Sequence, residues 1–253
     1  MKEYNIKNTT YKMRYNDFQG KKTPIIFIHG LGCAGSIDYP EVASEKCLSE
    51  HRRILIDLLG SGYSDKPEEF SYSVKDHAGY LKEFIEDSGF EKVIIYGHSL
   101  GGPVAMELAA ELKDKVETLI LCESNLDSST EGSTSFEIGS CSEEDFVNEG
   151  YYTMLTAAME DNTMWSASFS NCLPTAMYRI SRNACEGGNP SWRELLYSLK
   201  CRRVFIFGEK SLPDKDFDIL KNHGLEMKIV EKAGHSMAWE NPKGLAETIA
   251  ASL

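Results

Sequence analysis

Six short apolar runs, separated by stretches of helical spacing, constrain this chain more than any other feature. They lie at 24–29 (PIIFIH), 53–57 (RILID), 92–96 (KVIIY), 116–122 (VETLILC), 203–207 (RVFIF) and 226–230 (EMKIV). Runs of this length, rich in Ile and Val, suit strands covered on both faces. Such strands need helices above and below them, so the expected fold is α/β, a mainly parallel sheet between helical layers. Helix candidates fall near 40–50, 74–88, 100–112 and 242–253, and segments 3–7 and 11–15 suit a hairpin at one edge of the sheet.

The alternation stops after Cys122 and resumes near Arg203, and a structureless loop of about 70 residues does not fit a compact domain. The interval opens with the low-complexity stretch SSTEGSTS at 128–135, and Ser142 heads a likeness of a helix start (SEEDFVNEG). Met154, Met164, Trp165, Phe169, Leu173, Met177 and Tyr178 then follow at roughly helical intervals. We read residues 125–195 as a small helical cap set between two parts of one core, 1–124 and 196–253. The side chains expected to line a pocket under it are Met154, Trp165, Phe169 and Leu173, with His98 below.

Composition narrows the function. The 39 acidic against 27 basic side chains give a formal charge of −12, which disfavours a nucleic-acid or anionic-membrane partner. Seven scattered cysteines include no Cys-x-x-Cys pair for zinc or redox chemistry. The N-terminus has no signal-like apolar stretch, and no run reaches the roughly 18 apolar residues of a membrane span. A cytoplasmic protein without membrane insertion is expected, and the sequence does not fix its oligomeric state.

Chemistry concentrates at Gly97-His98-Ser99-Leu100-Gly101, after one strand candidate and before a helix candidate. Glycines two residues either side of a serine permit a tight strand-to-helix turn that exposes the hydroxyl, with φ > 0 at Ser99. A serine hydroxyl needs a base to take its proton. Of six histidines, His29 and His98 sit in glycine turns where packing roles are expected, and His51, His77 and His223 lie in polar helical surroundings. His235, in the loop after the last strand, is the candidate base. The N–H groups of Leu31 and Leu100 are the candidate oxyanion donors.

One other motif competes. Gly30-Leu31-Gly32-Cys33-Ala34-Gly35 matches the G-x-G-x-x-G of dinucleotide sites, with Asp57 at the end of the next strand. That site needs a helix starting at the glycines, whereas Asp38-Tyr39-Pro40 is expected to delay it.

Taken in order, HGLG at 29–32, D-x-x-G-x-G-x-S-D at 57–65, GHSLGG at 97–102 and AGH at 233–235 resemble the α/β-hydrolase superfamily, and the capped esterase and lipase members in particular. The resemblance implies an eight-stranded, mostly parallel sheet with helices on both faces and a cap after the sixth strand. It implies Ser99 as nucleophile, His235 as base, and an oxyanion hole from Leu31 and Leu100. It sets the chain apart from dehalogenases and epoxide hydrolases, which carry Asp at the place of Ser99. The triad acid is less regular. The commoner pattern puts Asp where this chain has Ser211, which leaves Glu123, directly after an apolar strand, and Asp214, in a polar loop. Glu123 is preferred and Asp214 is the runner-up, with Ser211 or a water as the remaining alternative.

The expected activity is hydrolysis of a small or medium carboxylic ester, thioester, lactone or amide through an acyl-enzyme, with a small-molecule acyl substrate and no metal or organic cofactor. Fold and triad do not fix the reaction, so a lyase or acyltransferase on the same scaffold, or a receptor-like ligand binder, are the alternatives.

Overall fold

The computed structural model describes residues 1–253. Strands β1 (Lys2–Asn5), β2 (Lys12–Phe18), β3 (Lys22–Ile28), β4 (His51–Asp57), β5 (Val93–His98), β6 (Val116–Cys122), β7 (Arg202–Gly208) and β8 (Glu226–Val230) form one eight-stranded sheet in the order β1-β2-β4-β3-β5-β6-β7-β8. β1 and β2 make the expected antiparallel edge hairpin, and β2 also runs antiparallel to β4. All other neighbours are parallel, and β3 and β5 are the two central strands of the eight.

The sequence pattern explains why both faces are covered. Along β3, Ile26 and Ile28 join one buried cluster while Ile25 and Phe27 join another, because successive side chains point to opposite faces. The first cluster packs on α3 (Val74–Asp87) and α4 (Gly101–Leu112), which contribute Phe84, Ile85, Val104 and Leu108. The second packs on α2 (Pro40–Ser44) and α13 (Pro242–Ala250) through Val42, Leu245 and Ile249. Each of these fully buried aliphatic chains stabilises the fold by about 1.5–3 kcal/mol, so the sheet centre is the most rigid part of the molecule. Function hangs on the strand ends it holds still.

One helix expectation needs correction. The segment 40–50 is not continuous: α2 ends at Ser44, Glu45 turns extended, and a single 3-10 turn follows at Lys46–Leu48. The break turns Leu48 fully into the second cluster, and the buried Arg53 guanidinium donates to the Ala43 carbonyl that the helix leaves behind, at 3.1 Å. A short helix, α1 (Gly35–Asp38), precedes α2.

Between β6 and β7 lie only helices: α5 (Thr134–Gly139), α6 (Glu143–Asp145), α7 (Tyr151–Asp161), α8 (Thr163–Phe169), α9 (Pro174–Glu186) and α10 (Trp192–Ser198). Ser142 does cap α6, and a π-helical turn at Phe146–Gly150 carries it into α7. This segment is tied to the loops beyond the strands. Leu173 N–H donates to Gly60 O at 2.7 Å, and Arg179 donates to the carbonyls of Glu68 and Phe70. The last helices are α11 (Asp216–Asn222), between β7 and β8, and α12 (Met237–Glu240), just before α13.

Candidate active site

β5 ends at His98 and α4 begins at Gly101, so the chain must reverse within two residues. Ser99 takes the strain, with φ at 50°, in the left-handed region that functional turns tolerate. The flanking glycines are required by space. A Cβ at Gly97 would lie 2.7 Å from Ala105 Cβ, and one at Gly101 would lie 2.3 Å from the His29 carbonyl oxygen. Ser99 N–H donates to Cys122 O at 3.0 Å, and Ser99 O accepts from Gly102 N–H and Asn125 N–H, which ties the turn to the end of β6.

Ser99 lines a cavity of about 770 Å³ together with Leu31, His98, Leu100, Glu123, Trp165, Asp214 and His235. The N–H groups of Leu31 and Leu100 donate to no backbone carbonyl, which leaves two spare donors in the wall beside Ser99. The Leu31 turn is held from above, since Trp165 of α8 donates its indole N–H to Leu31 O at 3.0 Å.

His235 stands in a pinned loop. Lys210 N–H donates to Ala233 O at 2.9 Å, Gly234 N–H donates to Glu240 Oε1 at 3.1 Å, and His98 Nε2–H donates to His235 O at 2.9 Å. A carbonyl can only accept, so His98 must carry its proton on Nε2. Burial, and then the neighbouring His235, push His98 down to about 3, which keeps it a neutral donor. The His98 and His235 rings pack with centroids 4.8 Å apart. His98 therefore lines the cavity and also positions the His235 loop.

Glu123 lies where β6 ends, at a φ of 45°, with its N–H donating to Ile206 O at 3.0 Å. Its side chain is only 12% exposed; Oε1 accepts from Gly208 N–H at 2.8 Å, and Oε2 is 3.7 Å from His235 Nδ1. That spacing is an ion-pair approach rather than a formed hydrogen bond, and such contacts commonly tighten when substrate arrives. Burial pushes the Glu123 carboxyl up, but the nearby His235 ring, the Gly208 N–H and the nearby Ser211 hydroxyl together outweigh it and hold the carboxyl below its ordinary value. Ser211, at the place of the commoner acid, is thus one of the groups that favour the charged form of Glu123. Asp214 also reaches the cavity, but its Oδ1 accepts from Asp216 N–H at 2.7 Å in the turn that opens α11.

Several expectations are corrected. Met154, Phe169 and Leu173 do not line the cavity: Phe169 is fully buried and stacked on Trp165 at 4.5 Å, and Met154 and Leu173 pack against the core cluster. Their helical spacing records packing within the cap. His77 is not in polar surroundings but buried, with Nδ1 2.7 Å from Tyr80 Oη, and His51 opens β4 rather than lying on a helix. His29 is the packing residue expected, its Nε2 accepting from Leu58 N–H at 3.0 Å.

The Gly30 loop differs in detail as well. A helical turn does begin at Gly35, contrary to the expected delay, but it ends at Asp38. Asp57 has no carboxylate oxygen to spare for a ribose. It is fully buried and accepts from Ser36 N–H and Oγ–H at 2.8 Å and from Tyr63 N–H at 2.9 Å. Asp38, Tyr39, Tyr96 and Trp239, which the sequence did not single out, line the same cavity as Ser99. A polar or phenolic side chain at the end of an apolar strand, as Tyr96 is in KVIIY, was the one available signal.

Comparison with known proteins agrees with this fold. The family model described as the alpha/beta hydrolase fold matches residues 23–144. Haloalkane dehalogenase 2 of Mycobacterium bovis is 30% identical over 110 residues, 44% of this chain and 37% of that protein, so the match spans little more than a third of the relative. Among solved structures, an esterase from Exiguobacterium antarcticum superposes with a TM-score of 0.80 at 18% identity, over 98% of this chain and 97% of the other. An N-acyl homoserine lactonase superposes with a TM-score of 0.77 at 17% identity, over 99% and 94%.

Proposed function

We propose that this chain, whose fold is that of the α/β hydrolases, is a serine hydrolase cleaving a small or medium carboxylic ester, thioester, lactone or amide through an acyl-enzyme on Ser99. The observation that carries this reading is the convergence of Ser99, the His235–Glu123 pair and the spare amides of Leu31 and Leu100 on one cavity.

Each group has a distinct task. His235 takes the Ser99 proton as the hydroxyl oxygen attacks the acyl carbon, and Glu123 balances the charge of the resulting imidazolium. The Leu31 and Leu100 amides receive the oxyanion of the tetrahedral intermediate. As the intermediate collapses, His235 returns the proton to the departing alcohol, thiol or amine. Water then enters, His235 takes one of its protons, and the acyl group leaves Ser99 as the acid.

The nucleophile separates this reading from dehalogenation and epoxide opening. Those relatives are implied to carry Asp at this place, and a carboxylate suits displacement at a saturated carbon, whereas a base-activated hydroxyl suits attack on a carbonyl. A small-molecule acyl ligand suits the size of the cavity. No helix is long and apolar enough to cross a membrane.

The test compares leaving-group chemistries. p-Nitrophenyl acetate should give a rapid burst of about one p-nitrophenolate per protein followed by slower turnover, the signature of an accumulating acyl-enzyme. Bromide release from 1-bromobutane should be undetectable. Inert esters with measurable bromide release would overturn the proposal.

A further inference from the structure

One wall of the cavity, built from the α1–α2 junction, β5 and α12, holds polar side chains that the acyl-transfer steps do not use. Asp38 ends α1, Tyr39 follows it, Tyr96 lies on β5 and Trp239 on α12, and all four line the cavity that contains Ser99. Asp38 Oδ1, the Tyr39 and Tyr96 hydroxyls and Trp239 Nε1 are buried and have no hydrogen-bond partner in the protein. Asp38 is 5% exposed, Tyr39 1% and Tyr96 0%.

An unpaired buried polar atom is costly, so such atoms are normally few and scattered. Here four of the seven in the molecule stand on one wall. Asp38 is held from behind, because its other oxygen accepts from Ala34 N–H at 3.1 Å. The two tyrosine rings pack edge to face with centroids 5.5 Å apart. The Ala34 N–H behind Asp38 and the packing of the two tyrosine rings hold these three side chains in place, with Trp239 beside Asp38.

We propose that Asp38, Tyr39, Tyr96 and Trp239 form a subsite for a hydroxyl group carried by the substrate, which donates to Asp38 Oδ1 and accepts from Trp239 Nε1–H or a tyrosine hydroxyl. The proposal rests on the acyl-hydrolase reading and narrows its substrate to hydroxylated esters or lactones. The donor inventory selects this guest. A carboxylate would face Asp38, and an ammonium group would find no acceptor in the Trp239 indole N–H, whereas a hydroxyl can donate to the one and accept from the other. An alkyl chain would leave all four unpaired. Burial raises the Asp38 carboxyl to about 7, so near neutral pH it is well matched to a neutral hydrogen-bonding partner.

The test uses pairs of ligands that differ by one hydroxyl: methyl butyrate with methyl 3-hydroxybutyrate for the acyl side, and ethyl butyrate with 2-hydroxyethyl butyrate for the alcohol side. Their affinities for the Ser99→Ala protein are measured by NMR titration, where the esters stay intact. At least one hydroxylated ligand should bind about tenfold more tightly than its partner, and adding Tyr96→Phe or Trp239→Phe should bring that ratio to within about twofold of unity. Both second substitutions keep an aromatic ring in place, so loss of the ratio in either, with an unchanged circular dichroism spectrum, supports the subsite. Equal affinities within both pairs, as expected of a wall that holds water only, would overturn it. So would a preference that survives both second substitutions. Hydrolysis of all four esters by the wild type alongside equal affinities would sink the subsite alone. A preference that disappears with Tyr96→Phe in a protein that hydrolyses none of them would support the subsite and sink the hydrolase reading.

Discussion

Replacing Ser99 with alanine is expected to lower kcat/KM for ester hydrolysis by about three orders of magnitude or more, with thermal stability within a few degrees of wild type. The loss follows from removing the atom that forms the acyl bond; what remains is the modest help of the oxyanion donors and of substrate binding. Stability should hold because the turn is fixed through the backbone. Alanine keeps the N–H to Cys122 O and the carbonyl that accepts from Gly102 and Asn125. The left-handed φ of 50° already strains a side chain with a Cβ, and alanine adds no further atom. His235→Ala should cost a comparable factor, since nucleophile and base act as one unit and their effects do not add. Rates are to be read by p-nitrophenyl acetate hydrolysis and folding by thermal melts. Retention of more than about a tenth of the activity by either variant would remove that residue from the mechanism.

The second large effect discriminates between two carboxylates. Glu123→Gln is expected to lower kcat by about two to four orders of magnitude, whereas Asp214→Asn should stay within about threefold of wild type. An amide has no charge to balance an imidazolium, and the glutamine can present an N–H toward the ring N–H, which disfavours the productive tautomer. Gly208 N–H can still donate to the amide oxygen, so the local backbone should survive. Asp214 is bound into the turn before α11, and its substitution should perturb that loop only. Steady-state kinetics of both variants on one ester decide the matter. Collapse of Asp214→Asn with a near-normal Glu123→Gln would transfer the role to Asp214.

How far the fold was legible depended on whether a signal was local. Strands β3 to β7 were readable because each holds a run buried on both faces; 116–122 and 226–230 coincide with β6 and β8 to the residue, although β8, at the sheet edge, leaves Ile229 exposed. Segment 40–50 misled because Pro40 starts a helix well, while its end is set by Arg53, a residue on the next strand reaching back to Ala43 O. The Ser99 turn was readable because glycine spacing and a strained φ are properties of consecutive residues. Glu123 was readable as rigid because it follows β6 directly. Its hydrogen bond from Gly208 N–H, by contrast, crosses from β6 to the end of β7. The cap was readable as helical but not as to its lining. Trp165 and Phe169 have the same kind of spacing, yet only tertiary packing sends one to Leu31 O and the other into the core. The Asp38 wall was invisible, since unpaired polar atoms are defined by what surrounds them and nothing in Asp38-Tyr39-Pro40 records that.

The most direct measurement is to treat the wild-type protein with a fluorophosphonate, digest it, and locate the adduct by mass spectrometry. A fluorophosphonate reacts with a serine whose hydroxyl is activated by a base and whose oxyanion donors are in place, so it reports the whole arrangement at once. Stoichiometric modification should fall on the peptide containing Ser99, and should be lost in His235→Ala. A folded protein that stays unmodified, or that carries the adduct on a serine other than Ser99, would contradict the assignment.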